Sequence, residues 1–232
     1  MSLSERYIRN LNALSEAECL SLHDKKVCVV GCGGLGGYVI SALARVGVGN
    51  LTILDSDSFE ESNLNRQLFS RETNIGKPKV EVCADMVSEI NSEIIVNALQ
   101  VKLEEANASE IINGADCVVD CLDNFEARFW LAHACQEAKL PLIYGAIAGW
   151  YGQVCTVFPG DVSFVDIYGS MEDATEATKD DQGNLPFTAG IVGDIQSAEC
   201  VKVLLGKKDL LRNKILMVDM LTSTFEIMEL KC

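Results

Sequence analysis

Between the apolar run Lys26 to Val30 and a helical pattern over Leu35 to Val46 stands the heptapeptide Gly31-Cys32-Gly33-Gly34-Leu35-Gly36-Gly37. Glycine lets a chain turn tightly and bring its backbone close to an anion, and the N-terminus of the helix that follows presents free N–H groups and a partial positive charge. Gly47-Val48-Gly49 stops that helix, Leu51 to Leu54 reads as a second buried strand, and Asp55 closes it. An acid roughly 20 residues past such a glycine turn is placed to accept hydrogen bonds from ribose hydroxyls. Strand, turn, helix, strand and acid in this order predict the opening βαβ unit of a doubly wound sheet with a nucleotide at the turn. NAD, FAD and ATP all remain open at this point.

The alternation continues along the chain. Val80, Cys83, Val87 and Ile90 recur at helical spacing before a strand over Ile94 to Val101, and a helix near Glu104 to Asn113 leads to a strand over Cys117 to Asp120. Asn124 to Lys139 reads as a helix and Pro141 to Tyr144 as a strand, a rhythm that predicts parallel strands with helices on both faces. After Gly145 the texture changes. Ala146 to Phe158 is strand-like with glycines, whereas Pro159 to Pro186 is polar, acidic and too long for an ordinary connector. Phe187 to Leu205 is helical again, and Ile215 to Met220 with Phe225 to Leu230 predict a terminal hairpin.

The expected fold is α/β: a Rossmann-like, doubly wound, mostly parallel sheet with an antiparallel C-terminal extension, in one domain over residues 1–232. Within it we expect an N-terminal arm (1–25), in which Ser15 precedes Glu16 and Glu18 at the start of a short helix. A nucleotide-binding core (26–145) follows, then a C-terminal part (146–232) that includes a crossover loop (159–186).

Composition narrows the function classes. The net charge of −15 makes sequence-independent binding to nucleic acid unfavourable, and suits either a simply soluble surface or the steering of a basic protein partner. No apolar run approaches the roughly 18 residues that a membrane span needs, and the first residues lack a basic segment followed by an apolar one, so the sequence reads as cytosolic with no membrane partner. Ten cysteines are spread through strand and helix patterns, as expected of buried, reduced thiols. They form no Cys-x-x-Cys pair, and His23 and His133 lie far apart in sequence, so no zinc is expected.

Two further motifs discriminate among nucleotides. Ser62-Asn63-Leu64-Asn65-Arg66-Gln67 and Gly76-Lys77-Pro78-Lys79 bring a guanidinium and an ammonium toward the nucleotide end of the sheet. Hydride transfer to nicotinamide has no need of such cations, whereas attack on phosphorus needs its oxygens neutralised, so a dehydrogenase falls behind. Asp120-Cys121-Leu122-Asp123-Asn124 ends a parallel strand, where open α/β sheets place their sites. Asp123 is the candidate magnesium ligand, while Asp120 and Asn124 also suit caps of the following helix.

These motifs, in this order and spacing, closely resemble the ThiF/MoeB/HesA superfamily, relatives of the ubiquitin-activating enzymes. The resemblance spans residue 6 to about residue 230, because Arg6-Tyr7-Ile8-Arg9 is similar to the family's N-terminal Arg-Tyr-x-Arg. It implies an ATP- and Mg2+-dependent adenylyltransferase that converts a carboxylate into an acyl-adenylate and releases pyrophosphate. The implied substrate is the C-terminal glycine of a ubiquitin-like sulfur carrier ending in Gly-Gly, in thiamine, molybdopterin-cofactor or related sulfur metabolism.

The implied ATP site draws on Gly31, Gly33, Gly34 and Gly36, on Asp55 and Asp57, on Ser62, Asn63, Asn65, Arg66 and Gln67, and on Lys79, Leu122 and Asn124. In it Gly34 lies at the adenosine, Asp55 holds the ribose, Asn63, Arg66 and Lys79 contact phosphates, and Asp123 places magnesium. Arg9, Arg66, Lys79 and Asp123 are the implied catalytic set, with Arg9 reaching across from the other subunit of a two-fold homodimer.

The chain also departs from the family. Pro159-Gly160-Asp161-Val162-Ser163 stands where many relatives carry the first zinc Cys-x-x-Cys, and Cys232 is solitary at the place of the second. Lys179 stands near the position of the crossover-loop cysteine, with none between Cys155 and Cys200, so thioester chemistry is in doubt. The segment Gly169 to Pro186 is still expected to clamp an extended glycine-ended tail. Adenylation of a tRNA-borne or small-molecule carboxylate, and a nucleotide-binding homologue without turnover, are the alternatives.

Overall fold

The computed structural model describes residues 3–161, 168–169 and 182–230. A 3-10 turn (Glu5–Asn10) and α1 (Glu16–Leu22) form the arm. The core then runs β1 (Lys26–Val30), α2 (Gly36–Val46), β2 (Asn50–Leu54), α3 (Lys79–Ile90), β3 (Ile95–Leu99), α4 (Glu105–Ile111), β4 (Cys117–Asp120) and α5 (Phe125–Ala138). It closes with β5 (Leu142–Ala148), β6 (Tyr151–Val157), α6 (Pro186–Leu204), β7 (Lys214–Asp219) and β8 (Thr224–Glu229).

The eight strands form one sheet in the order β3-β2-β1-β4-β5-β6-β7-β8. Pairings from β3 through to β5 are parallel, and those from β5 to β8 are antiparallel. The expected Rossmann-like sheet with an antiparallel extension is therefore the observed one. Chain order reverses between β1 and β4, so the crevice at their C-terminal ends is the topological switch point where such sheets take ligands.

Alternation along β1 explains the layers. Val27 and Val29 join a cluster with Leu43 of α2, Val87 of α3 and Val192 of α6, while Cys28 and Val30 join Ala108 of α4 and Leu131 of α5 on the other face. Burial on both faces is why these strands read as continuous apolar runs. The nine described cysteines are all buried, and several of them (Cys28, Cys32, Cys83, Cys117, Cys135, Cys200) belong to these two clusters.

Most element boundaries fall within two residues of expectation, and β5 is the exception. It runs to Ala148 rather than Tyr144, because its antiparallel pairing with β6 continues from Leu142↔Val157 to Ala148↔Tyr151. The glycine-bearing run 146–158 is thus the end of β5, a turn and β6. Val162, Ser163, Lys179 and Cys232 lie outside the described residues, as does most of the expected tail clamp. No helix among the described residues is long and apolar enough to cross a membrane.

The arm is fastened by its Arg-Tyr pair. Tyr7 is buried, and its hydroxyl accepts a hydrogen bond from Asn91 Nδ2 at 2.6 Å. Gly47 ends α2 in the left-handed conformation at φ 100°, and a Cβ there would stand 2.7 Å from the Tyr7 ring. That glycine therefore both stops the helix and admits the arm.

Candidate nucleotide site

The glycine turn is shaped by contacts that no side chain could share. Gly31 has φ +101°, its N–H donates to the Leu54 carbonyl at 2.8 Å, and a Cβ on it would meet the Cys121 carbonyl oxygen at 2.6 Å. A Cβ on Gly36 would lie 1.8 Å from the Gly31 carbonyl oxygen. The turn folds back on itself and against the exit of β4, which opens a cavity of about 750 Å³ at the switch point. Ligand pockets typically span about 300 to 1,000 Å³.

The wall of this cavity includes Gly31, Gly33 and Gly34, then Asp55 and Asp57, then Arg66, Gln67 and Lys79. Leu122, Asp123 and Asn124 close it from the end of β4. The three groups expected to handle phosphate charge, Arg66, Lys79 and Asp123, thus share one wall with the glycine turn.

Asp55 faces the turn directly. One carboxylate oxygen accepts from the Cys32 N–H at 2.8 Å and the other from the Asp57 N–H at 2.9 Å. Lys79 Nζ lies 3.0 Å from Asp57 and 4.0 Å from Asp55. Burial pushes the Asp55 carboxyl above its ordinary value despite the pull of Lys79, whereas the direct Lys79 hydrogen bond holds Asp57 below its own. Two backbone hydrogen bonds leave Asp55 lone pairs for further donors.

Of the Ser62 to Gln67 motif, only Arg66 and Gln67 reach the cavity. Asn63 is spent on local structure, its Oδ1 accepting from the Glu60 N–H at 3.0 Å. The Ser62 carbonyl and Asn65 Oδ1 both accept from Arg66 Nη1, at 3.1 and 2.9 Å, and so set the direction of the guanidinium. Asn65 Nδ2 donates to the Asn184 carbonyl at 3.0 Å, tying the loop to the start of α6. Gly36 stands behind the turn, outside the wall. Gln67 contributes to the cavity lining, and its enclosed Oε1 has no hydrogen-bond partner.

Asn124 caps α5, its side chain accepting from the Ala127 N–H at 2.9 Å. Asp120 is fully buried, and burial pushes its carboxyl above the ordinary value against the opposing pull of Arg128. Arg128 was missed by sequence reasoning. Its guanidinium lies 3.7 Å from Asp120 and donates to the Gly145 carbonyl at 2.9 Å and to the Leu122 carbonyl. The available signal was an arginine at helical spacing with Leu131 and Cys135, on the apolar face of α5. Gln196 was missed as well, and its Nε2 donates to the carbonyls of Asp120 at 2.7 Å and Ile143 at 3.3 Å.

Arg9 is exposed on the 3-10 turn of the arm, outside the cavity wall. Among the described residues no three His, Cys, Asp or Glu side chains gather as a metal-binding group. A single carboxylate supplemented by phosphate oxygens is a usual way to hold magnesium, and Asp123 on this wall fits that pattern.

Fold and site together define a Rossmann-like α/β protein whose switch-point cavity combines a glycine turn, cationic side chains and carboxylates. The ThiF family profile matches residues 6–232, and the chain belongs to that family. It is 36% identical over 206 residues to the SAMP-activating enzyme E1 of Haloferax volcanii, covering 88% of this chain and 76% of that protein. It is 35% identical over 213 residues to the molybdopterin-synthase adenylyltransferase of Escherichia coli, covering 90% of this chain and 85% of that protein. The crystal structure of E. coli MccB with ATP shares the fold, with a TM-score of 0.87 at 22% identity over 98% of this chain and 72% of that one.

Proposed function

We propose that this protein is an ATP-dependent adenylyltransferase that activates the C-terminal glycine of a ubiquitin-like sulfur-carrier protein as an acyl-adenylate. The observation that carries the reading is the sharing of one cavity wall by Arg66, Lys79, Asp123 and the glycine turn. Support for the reaction class comes from relatives named as an activating enzyme and an adenylyltransferase.

In the reaction a carboxylate oxygen bonds to the α-phosphorus of ATP, the α–β phosphoanhydride bond breaks, and pyrophosphate leaves. Two anions must meet, so the chain's first task is to screen their repulsion. Arg66, aimed by Ser62 and Asn65, and Lys79, released from Asp57, supply positive charge where it develops on the phosphates. Asp55 accepts from the ribose, and the glycine turn lets the backbone approach the adenosine closely at Gly34. Asp123 would hold a magnesium ion, which would supply neutralisation of phosphate charge. Arg9 completes the site of the opposite subunit in a homodimer.

ATP–pyrophosphate exchange tests the proposal. Exchange that depends on a protein ending in Gly-Gly is the expected result. Exchange that depends on tRNA or a small carboxylic acid redirects the substrate, and nucleotide binding without exchange under any of these conditions overturns the enzymatic reading.

A further inference from the structure

Both polar groups of the Leu122 backbone are held from inside the protein. The N–H donates to Asp120 Oδ1 at 2.9 Å, and the carbonyl accepts from Arg128. That carbonyl belongs to the peptide joining Leu122 to Asp123, so its direction fixes the plane from which the Asp123 side chain departs. Arg128 is braced in turn by the Asp120 carboxylate, by the Gly145 carbonyl and by the Tyr144 ring, whose centroid is 5.0 Å from the guanidinium carbon. We propose that Arg128 and Asp120 are a positioning pair, which sets the stance of the Asp123 carboxylate toward a divalent cation carried by the nucleotide. The inference rests on the adenylyltransferase reading above and names residues to which that reading gave no part.

Two features argue against a role in folding alone. A buried ion pair is often no more stable than apolar side chains of similar volume, so stability by itself gives little reason to bury one here. Both members of this pair also converge on a single turn, the one that carries the cavity carboxylate. Lysine at position 128 would keep the charge and lose the fork that reaches Leu122 and Gly145 together.

The test is calorimetric binding of α,β-methylene-ATP, once with Mn2+ and once in EDTA, to wild type, R128K and D123N, with thermal melts as the check on folding. Wild type is expected to bind more tightly with the metal, and D123N to lose that gain. R128K is expected to keep its metal-free affinity within about twofold, with the gain from metal reduced roughly 10- to 100-fold, the usual cost of removing a partner behind a metal ligand. If R128K does not fold, D120N takes its place, because it retains an acceptor for the Leu122 N–H and turns a donor toward the guanidinium; the same loss of the metal gain is expected.

A variant that keeps the full metal gain overturns the positioning role, and so does one that loses metal-free affinity by the same factor. Failure of wild type to bind the analogue at all overturns the adenylyltransferase reading and this inference with it. A metal gain that survives in D123N overturns the assignment of Asp123 and thereby the role of the pair.

Discussion

The ammonium of Lys79 is 3.0 Å from the carboxylate of Asp57 and 4.0 Å from that of Asp55, and the lysine side chain is almost wholly buried. In the proposed reaction a triphosphate draws this ammonium away from Asp57, whose side chain is 64% exposed and therefore the partner more easily left to water. Lys79→Met is expected to lower the exchange rate roughly a hundred- to a thousandfold. It should also lower the melting temperature, since Asp55 then sits largely buried without its cation. Exchange kinetics and a thermal melt on the same preparation check both.

Arg66 is half-buried and held by local acceptors, so Arg66→Ala is expected to remove exchange with a change in stability of about 1 kcal/mol or less. Paired with Arg9→Ala, it tests whether sites are shared between subunits. Mixing the two inactive variants and allowing them to re-associate should restore about a quarter of wild-type exchange, because half the dimers carry one intact site out of two. No recovery after demonstrated subunit exchange would refute the shared site.

Gly36→Ala places a methyl group 1.8 Å from the Gly31 carbonyl oxygen. The turn must open, and we expect a loss of about 3 kcal/mol or more together with loss of nucleotide binding. Gly114→Ala is the control. There φ is +77° with no atom within 4 Å, so only the backbone conformation resists, at about 1 kcal/mol. Chemical denaturation of the two variants measures the contrast.

Glu18 gives a pH prediction. Its hydrogen bonds from Lys207 and from Ser15 lower its carboxyl from 4.5 to about 2. A depressed acid contributes stability that is present above its unfolded value and lost as pH falls toward its folded one, here from 4.5 to about 2. Glu18→Gln should therefore melt below wild type at neutral pH, with the gap closing across that window. Because the group is partly open to solvent, added salt should narrow the gap.

Much of the site was legible along the chain, because each motif is a run of neighbours. A strand delivers its glycine turn or its terminal acid to the sheet edge through chain geometry alone, so Gly31, Asp55 and Asp123 could be placed by counting. That the first five strands run parallel followed from the alternation of strand and helix, whereas their order across the sheet was set by packing. Asn63 and Asn65 show the limit of such reading. They sit in the same motif as Arg66, yet only the folded loop reveals that Asn63 engages the Glu60 backbone and that Asn65 ties the loop to Asn184 while holding Arg66, neither side chain lining the cavity itself.

By itself, then, the sequence determined the alternation of strand and helix, the glycine turn, and which charges arrive at the strand ends, since those depend on periodicity and short-range geometry. Tertiary structure alone decided the pairing of Lys79 with Asp57, the burial of Arg128 beside Asp120, and the reach of Gln196 from α6 to Asp120 of β4 and Ile143 of β5. Each of these joins residues from separate elements. The strength of such charges and hydrogen bonds depends on water being excluded around them, and that exclusion exists only once the elements have packed.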